Sequence, residues 1–261
     1  MKRVAGVMTA CLALTACEVH FEGEPAEELL SICQPVMFED TPLTHCQAEP
    51  TRHAINTDLA PEGEDNPYRS LRAFVRHPRE VEHPVVFAMN AGMFDAEGVP
   101  IGYYVEEGRR LALLNQTDGP GNFHLLPNGI FFGGEDGNWR VLETEAFAGQ
   151  IKDRPHFATQ SGPMLVINGE LHPAFDPDGE SRKIRNAVGV DASGRAHFVI
   201  SEAPISFGKL ARYYRDALNV DNALFLDGSV SQIWDMPNER LDTGPDIGPL
   251  IVVRNRAEAA E

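Results

Sequence analysis

The chain has 261 residues, 43% of them hydrophobic, enough for one large domain or two small ones with a real core. Its 22 Lys and Arg against 39 Asp and Glu give a net charge of −17. That balance argues against nucleic-acid binding, which depends on neutralising phosphates with basic side chains, but not against a small anionic ligand held by a local arginine.

Residues 1–17 have the pattern of an export signal. Lys2 and Arg3 are a basic start, Val4 to Leu14 a short and mostly apolar core, and the stretch ends in Leu14-Thr15-Ala16-Cys17. It is too short to span a bilayer. Its ending resembles the bacterial lipoprotein signal, whose cysteine is lipidated and becomes the mature N-terminus. Glu18 behind it resembles the sorting context for the outer membrane. An ordinary secretory signal with an incidental cysteine is the alternative. The expectation is an exported protein, periplasmic or at the cell surface, whose contact with membrane is a lipid on Cys17. Residues 18–32 are acidic and aperiodic, which suits a tether. Cys33 and Cys46 follow, thirteen apart, in a compartment that permits disulfides. A bridge between them would add roughly 3 kcal/mol by restricting the unfolded chain. A metal site is the weaker alternative, because no His or Cys stands at ligand spacing beside them.

From Cys33 to about Leu59 the pattern suggests one or two strands. Leu71, Phe74 and Val75 show helical spacing before Pro78. Val85 to Met89 reads as a buried strand running into Asn90-Ala91-Gly92-Met93-Phe94-Asp95. Short strands are expected near 101–105, 111–114, 129–132, 139–142 and 164–167, then over 184–190 and 196–201 with Asp191-Ala192-Ser193-Gly194 as a hairpin turn. The clearest helix starts at Ser206 as N-cap, with Phe207, Leu210, Ala211, Tyr214 and Leu218 on one face. It stops before a strand over 223–227, and a last strand covers Leu250 to Val253. Strands dominate and helices are few, so the expected class is α+β, a single domain over 33–253 with a mixed, strand-dominated sheet. Residues 254–261 read as a charged tail.

Four segments share one design, an apolar strand followed by a glycine turn with polar side chains: Asn90-Ala91-Gly92-Met93-Phe94, Gln160-Ser161-Gly162-Pro163, Ile184 to Gly189, and Asp227-Gly228-Ser229. Glycine lets backbone approach a ligand closely. The Asn, Ser, Arg and Asp side chains supply hydrogen bonds, an anion clamp and a carboxylate, as a polyhydroxylated, negatively charged ligand requires. Other constellations fail. There is no Gly-x-Ser-x-Gly elbow, no His-Glu-x-x-His and no cofactor motif. The expectation is chemistry without a cofactor or a dedicated metal cluster, although one cation bridging Asp227 and a phosphate would leave no motif.

In order, Phe87-Ala88-Met89-Asn90-Ala91-Gly92-Met93-Phe94, Gly121-Asn122-Phe123, Pro127-Asn128-Gly129, Ser161-Gly162-Pro163-Met164, Arg185-Asn186-Ala187-Val188-Gly189 and Leu226-Asp227-Gly228-Ser229 resemble the phosphodiester glycosidase family, in its bacterial exported branch. The resemblance spans about residues 33–253. It implies hydrolysis of a sugar-1-phosphodiester, or of a phosphorylated glycan carrying one, at the bond between C1 and the phosphate oxygen. On that basis Arg185 would grip the phosphate and Asp227 would face the anomeric centre as base or nucleophile. Glu202 and Asp95 are candidates for a second carboxylate. Asn90, Phe94, Asn128, Ser161, Asn186, Gly228 and Ser229 would bind sugar hydroxyls or phosphate oxygens. A glycan-binding lipoprotein without turnover and a phosphodiesterase cutting the P–O bond are the rival readings.

Overall fold

The computed structural model describes residues 30–76 and 85–256. The signal-like segment, Cys17, most of the expected tether and residues 257–261 lie outside them. In chain order the elements are β1 (Cys33–Phe38), β2 (Thr41–Ala48), β3 (His53–Asp58), α1 (Leu71–Arg76), β4 (Val85–Asn90), β5 (Tyr104–Glu106), β6 (Arg109–Ala112), β7 (Gly129–Gly133) and β8 (Trp139–Glu143). Then come α2 (Thr144–Gln150), β9 (Phe157–Ser161), β10 (Met164–Ile167), β11 (Glu170–Leu171), β12 (Asn186–Val190), β13 (Ala196–Ser201), α3 (Phe207–Arg212), β14 (Asn222–Phe225), β15 (Ile233–Asp235), β16 (Arg240–Leu241) and β17 (Leu250–Asn255).

The strands form three sheets, ordered β1-β2-β13-β12-β14-β10-β11, β16-β15-β4-β17-β3 and β6-β5-β9-β7-β8. The strand-dominated α+β class is therefore observed. The single mixed sheet is corrected: every pairing among the described strands is antiparallel. Parallel pairing needs a long crossover, whereas several neighbours here are joined by tight turns. Glu39 and Asp40, between β1 and β2, both take positive φ (43° and 60°), the backbone a two-residue hairpin with right-handed strand twist demands. Cys33 and Cys46 face each other in this hairpin and are disulfide-bonded, as expected.

The sheets meet on aromatic rings. Phe198 of β13 lies edge-on to Phe87 of β4 at 5.1 Å and to Phe131 of β7 at 5.8 Å, so one side chain touches all three sheets. Around it, Met89, Phe157, Leu224 and Ile251 are fully buried. On the other face of the first sheet, α3 packs Leu210 and Ala211 against Ala187 and Phe225. Its N-cap is Ser206, whose Oγ accepts from Lys209 N. After Arg212 the helix widens into one π turn, Tyr213–Ala217.

Two boundaries move. Ser31 donates to both carboxylate oxygens of Asp235 at 3.0 Å, and Ile32 packs on the core, so the end of the tether belongs to the domain. The expected tail begins inside β17: Arg254 pairs with Ala54, and Arg256 Nε donates to Pro50 O and His53 O. Charge made 254–256 look like part of a tail, but those charges are spent on backbone carbonyls or carried on a paired strand.

Under α3 runs a buried polar chain. Tyr213 OH is 3.4 Å from His45 Nδ1, His45 Nε2 is 2.9 Å from His197 Nδ1, and His197 Nε2 is 3.1 Å from Asp191. One direction satisfies every member: Asp191 accepts from His197, which accepts from His45, which accepts from Tyr213. Both imidazoles are then neutral. Burial, and after it the neighbouring His197, push His45 down from 6.5 to about 4. Its neutral form is favoured by the fold, so that stability is present above pH 6.5 and is lost as pH falls from 6.5 towards 4, by up to about 3 kcal/mol. Melting temperatures measured from pH 7 to 4 should fall across that window, and His45→Gln should flatten the fall.

Candidate active site

The ends of strands from all three sheets converge at one edge of the core. In the first sheet these are the C-terminal ends of β13 and β14 and the N-terminal ends of β12 and β10, brought together by antiparallel order. The second contributes the end of β4, and the third the end of β9 beside the start of β7.

Two buried amides fix the turn after β14. Asn90 Nδ2 donates to Asp227 O at 2.8 Å, while its Oδ1 accepts from Gln232 N (2.9 Å) and Asn186 Nδ2 (3.0 Å). Asn186 Nδ2 also donates to Asn90 O, and its Oδ1 accepts from Ser231 Oγ. The residues are 1% and 0% exposed. Both were expected to bind substrate. Their polar groups instead hold the 227–232 turn, because a buried amide left unpaired would cost more than a ligand contact returns.

Asp227 caps a short 3-10 turn, its Oδ1 accepting from Ser229 N (3.2 Å) and Ser229 Oγ (2.5 Å). The residue is 9% exposed. Burial raises its pKa above the ordinary 3.8, against the lowering effect of the two Ser229 bonds. Gly228 is needed by space: a Cβ there would lie 2.5 Å from the Phe225 ring and 3.2 Å from Arg185 Cα.

Arg185 stands opposite this turn. The β12–β14 ladder pairs Ala187 with Phe225, Leu226 N donates to Asn186 O, and Gly228 of the turn lies against Arg185 Cα. The Arg185 side chain is 2% exposed. Its Nε donates to Ile205 O and its Nη2 to Ser181 O, and the guanidinium lies 3.6 Å from the Phe207 ring centroid. Behind it Phe207, Phe175 and His172 continue the stack. Burial lowers its pKa to about 10, so it is cationic at neutral pH. Among the described residues it has no carboxylate partner and Nη1 has no partner of any kind. A buried cation without a counter-charge is costly unless a ligand supplies one.

A cavity of about 390 Å³ opens beside the turn. Its walls include Lys183, Ser229, Ser231, Gln232, Thr243 and Gly244. Of these, Lys183, Gln232 and the 243–244 segment were missed by sequence reasoning; they carry no motif, and only folding brings 183 beside 229 and 243. Ser161 lies on the neighbouring β9, fully buried, with its hydroxyl unpartnered among the described residues.

Four of the residues expected at the site have other partners in the fold. Glu202 sits at the same sheet edge, but its carboxylate is bound by Arg240 Nη1 at 2.6 Å and by Thr44 Oγ1 at 2.6 Å, on the surface. Asp95 folds over its own turn, accepting from Glu97 N and Val99 N. Phe94 packs against Gly248 with Arg69 5.3 Å above its ring. Asn128 spends its amide on Phe123 O and Thr144 Oγ1 and lines a different cavity, with Leu126 and Ile167.

A family profile described as phosphodiester glycosidase matches residues 83–246. The chain belongs to this family. The matched segment contains Asn90, Asn128, Ser161, Arg185, Asn186 and Asp227, but not the Cys33–Cys46 hairpin. The uncharacterised protein YigE of Escherichia coli is 38% identical over 150 residues, 58% of this chain and 58% of that protein, so the match spans less than two thirds of that relative. Among solved structures, the catalytic domain of zebrafish N-acetylglucosamine-1-phosphodiester alpha-N-acetylglucosaminidase, auto-inhibited by its pro-peptide, superposes with a TM-score of 0.58 at 16% identity. That match covers 86% of this chain and 82% of the other. A hypothetical protein from Synechocystis gives 0.57 at 14% identity, covering 86% and 61%. At such identities the two structures share the fold with this chain.

Removing the Asp227 charge should stabilise the protein. A carboxyl with a raised pKa contributes most when protonated, below pH 3.8, and that contribution is lost as pH rises through its folded value. Asp227→Asn should therefore melt above wild type at pH 7, by about 2–4 °C for each 1 kcal/mol gained, and the gap should close on acidification. Thermal melts at neutral and acid pH test this.

Proposed function

We propose that this protein hydrolyses sugar-1-phosphodiesters at the bond between C1 and the phosphate oxygen, releasing a free sugar and a phosphomonoester. Family membership supports the general reaction. The observation that carries the reading is that the Asp227 turn lies against Arg185, a buried cation with no carboxylate partner among the described residues.

The chemistry follows from charge. A phosphodiester leaving group departs as an already stable anion, so a strong general acid matters less than in an ordinary glycosidase. The needs that remain are a cation for the phosphate, a carboxylate for the developing oxocarbenium ion and a directed water. Arg185 supplies the first through its free Nη1, oriented by Phe207 and two carbonyls. Asp227 supplies the second, and as base or nucleophile acts on the third. Ser229 holds one carboxylate oxygen and leaves the other for the reaction. One working carboxylate suffices, which fits the commitment of Glu202 to Arg240. Asn90 and Asn186 position the turn without touching substrate.

The proposal includes location: export, with a lipid on Cys17 at the outer membrane and substrates among envelope or extracellular glycans. It rests on the signal-like residues 1–17. Radiolabelled palmitate should enter the wild type in growing cells and not Cys17→Ala; equal labelling of both would reject the anchor.

Turnover is tested with a panel of chromogenic sugar-1-phosphodiesters in ¹⁸O-labelled water. The label should appear on sugar C1; its appearance in phosphate would make the protein a phosphodiesterase. Asp227→Asn should lower kcat/KM by about 10³ and Arg185→Lys by about 10², with both variants folded by circular dichroism. Because Asp227 must be ionised, kcat/KM should fall on acidification through a pKa above 3.8. Ligand binding without turnover by wild type would favour the binding-protein reading.

A further inference from the structure

The 390 Å³ cavity beside the Asp227 turn has one charged side chain in its wall, Lys183. Lys183 is exposed at the cavity mouth and has no carboxylate partner among the described residues. Three acidic groups near this edge are engaged elsewhere. Glu202 and Asp242 are both bound to Arg240, at 2.6 and 2.9 Å, and Asp227 faces Ser229. The rest of the wall mixes hydroxyl and amide side chains, from Ser229, Ser231, Thr243 and Gln232, with the apolar Ile184, Val230 and Pro245.

Lys183 is also held in place. Its backbone bridges Ile205, Lys183 N donating to Ile205 O and Ile205 N to Lys183 O. The same Ile205 carbonyl accepts from Arg185 Nε. Two residues apart, Lys183 and Arg185 are fixed to one loop, the first lining the cavity and the second buried.

We propose that Lys183 is a second cation of the site, assigned to the charge that the leaving phosphate gains during the reaction. This rests on the glycosidase reading above. Before cleavage the diester carries one negative charge, which Arg185 matches. As the C1–O bond breaks, its electron pair stays on the phosphate oxygen and the group becomes a dianionic monoester. Water adds its oxygen to C1, and its proton passes to Asp227 and then to solvent. One new negative charge therefore develops on the phosphate side, and a cation placed there is worth more in the transition state than in the bound substrate. A mobile ammonium point charge suits a phosphate whose position shifts as it departs.

The test has two readouts on the full chain. The first is steady-state hydrolysis of the best diester by wild type, Lys183→Gln and Lys183→Arg. The Gln variant should lose about 30–100-fold in kcat with KM changed less than about threefold, and the Arg variant should recover most of it. The second needs no turnover: thermal shift with methyl phosphate against dimethyl phosphate at about pH 8, above the second phosphate pKa of about 6. Wild type should prefer the dianion, and Lys183→Gln should lose that preference. A dianion preference retained in the Gln variant, or absent from wild type, overturns the proposal, as does an unchanged kcat. Failure of wild type to hydrolyse any diester would instead reject the glycosidase reading, while the phosphate comparison still decides the role of Lys183.

Discussion

The site depends on the contact between two asparagine side chains. Asn90 ends a strand of the second sheet and Asn186 begins a strand of the first, and their carboxamides bond each other and the 227–232 turn. In the protein interior such bonds are strong, and breaking one leaves a partner unsatisfied at a cost of about 1–3 kcal/mol. The pair therefore locks the angle between two sheets and the path of the turn together. Asp227 is placed by that lock, and its own side chain makes only local bonds.

Charge is distributed with the same economy. Several surface bases are paired with acids, as in Arg212 with Glu39, Arg195 with Asp191, and Arg240 with Glu202 and Asp242. Among the described residues, Arg185 has no such partner. Arg185 is enclosed by aromatic rings and carbonyls, which orient a guanidinium without cancelling its charge. Net charge is thus a poor guide to what the cavity would bind. An acidic protein can still offer a cationic pocket if its carboxylates are engaged elsewhere.

The same region holds the least stable choices in the fold. Burial raises the pKa of Asp227, and among the described residues Arg185 has no counter-charge and the buried Ser161 hydroxyl no partner. Each is a local cost tolerated by a core in which Phe198 ties three sheets together. The His45–His197 chain shows the contrary pattern, a buried polar run satisfied at each step.

Much of the local structure was legible because it is encoded locally. The Ser206 cap, the apolar run of β4, the Asp191 hairpin and the Cys33–Cys46 pair follow from short-range chemistry, and all occur as expected. So did the turn Asp227-Gly228-Ser229, since only glycine fits between the Phe225 ring and Arg185. The helix α2 and the two-residue strands β11 and β16 were not legible, because their stability comes from distant partners rather than from their own pattern. The roles of the site residues divide in the same way. Residue type marked Asn90, Asn186 and Arg185 as unusual, but whether an amide faces ligand or braces a turn depends on which strands become neighbours. Glu202 and Lys183 make the contrast plain. Both are charged residues near the same sheet edge, and the sequence favoured the first. The fold gives Glu202 an arginine 38 positions away and leaves Lys183 facing a cavity. The chain alone determined the family, the strand ends and the chemical kit; tertiary structure decided which charges were neutralised, because pairing acts through space and not along the sequence.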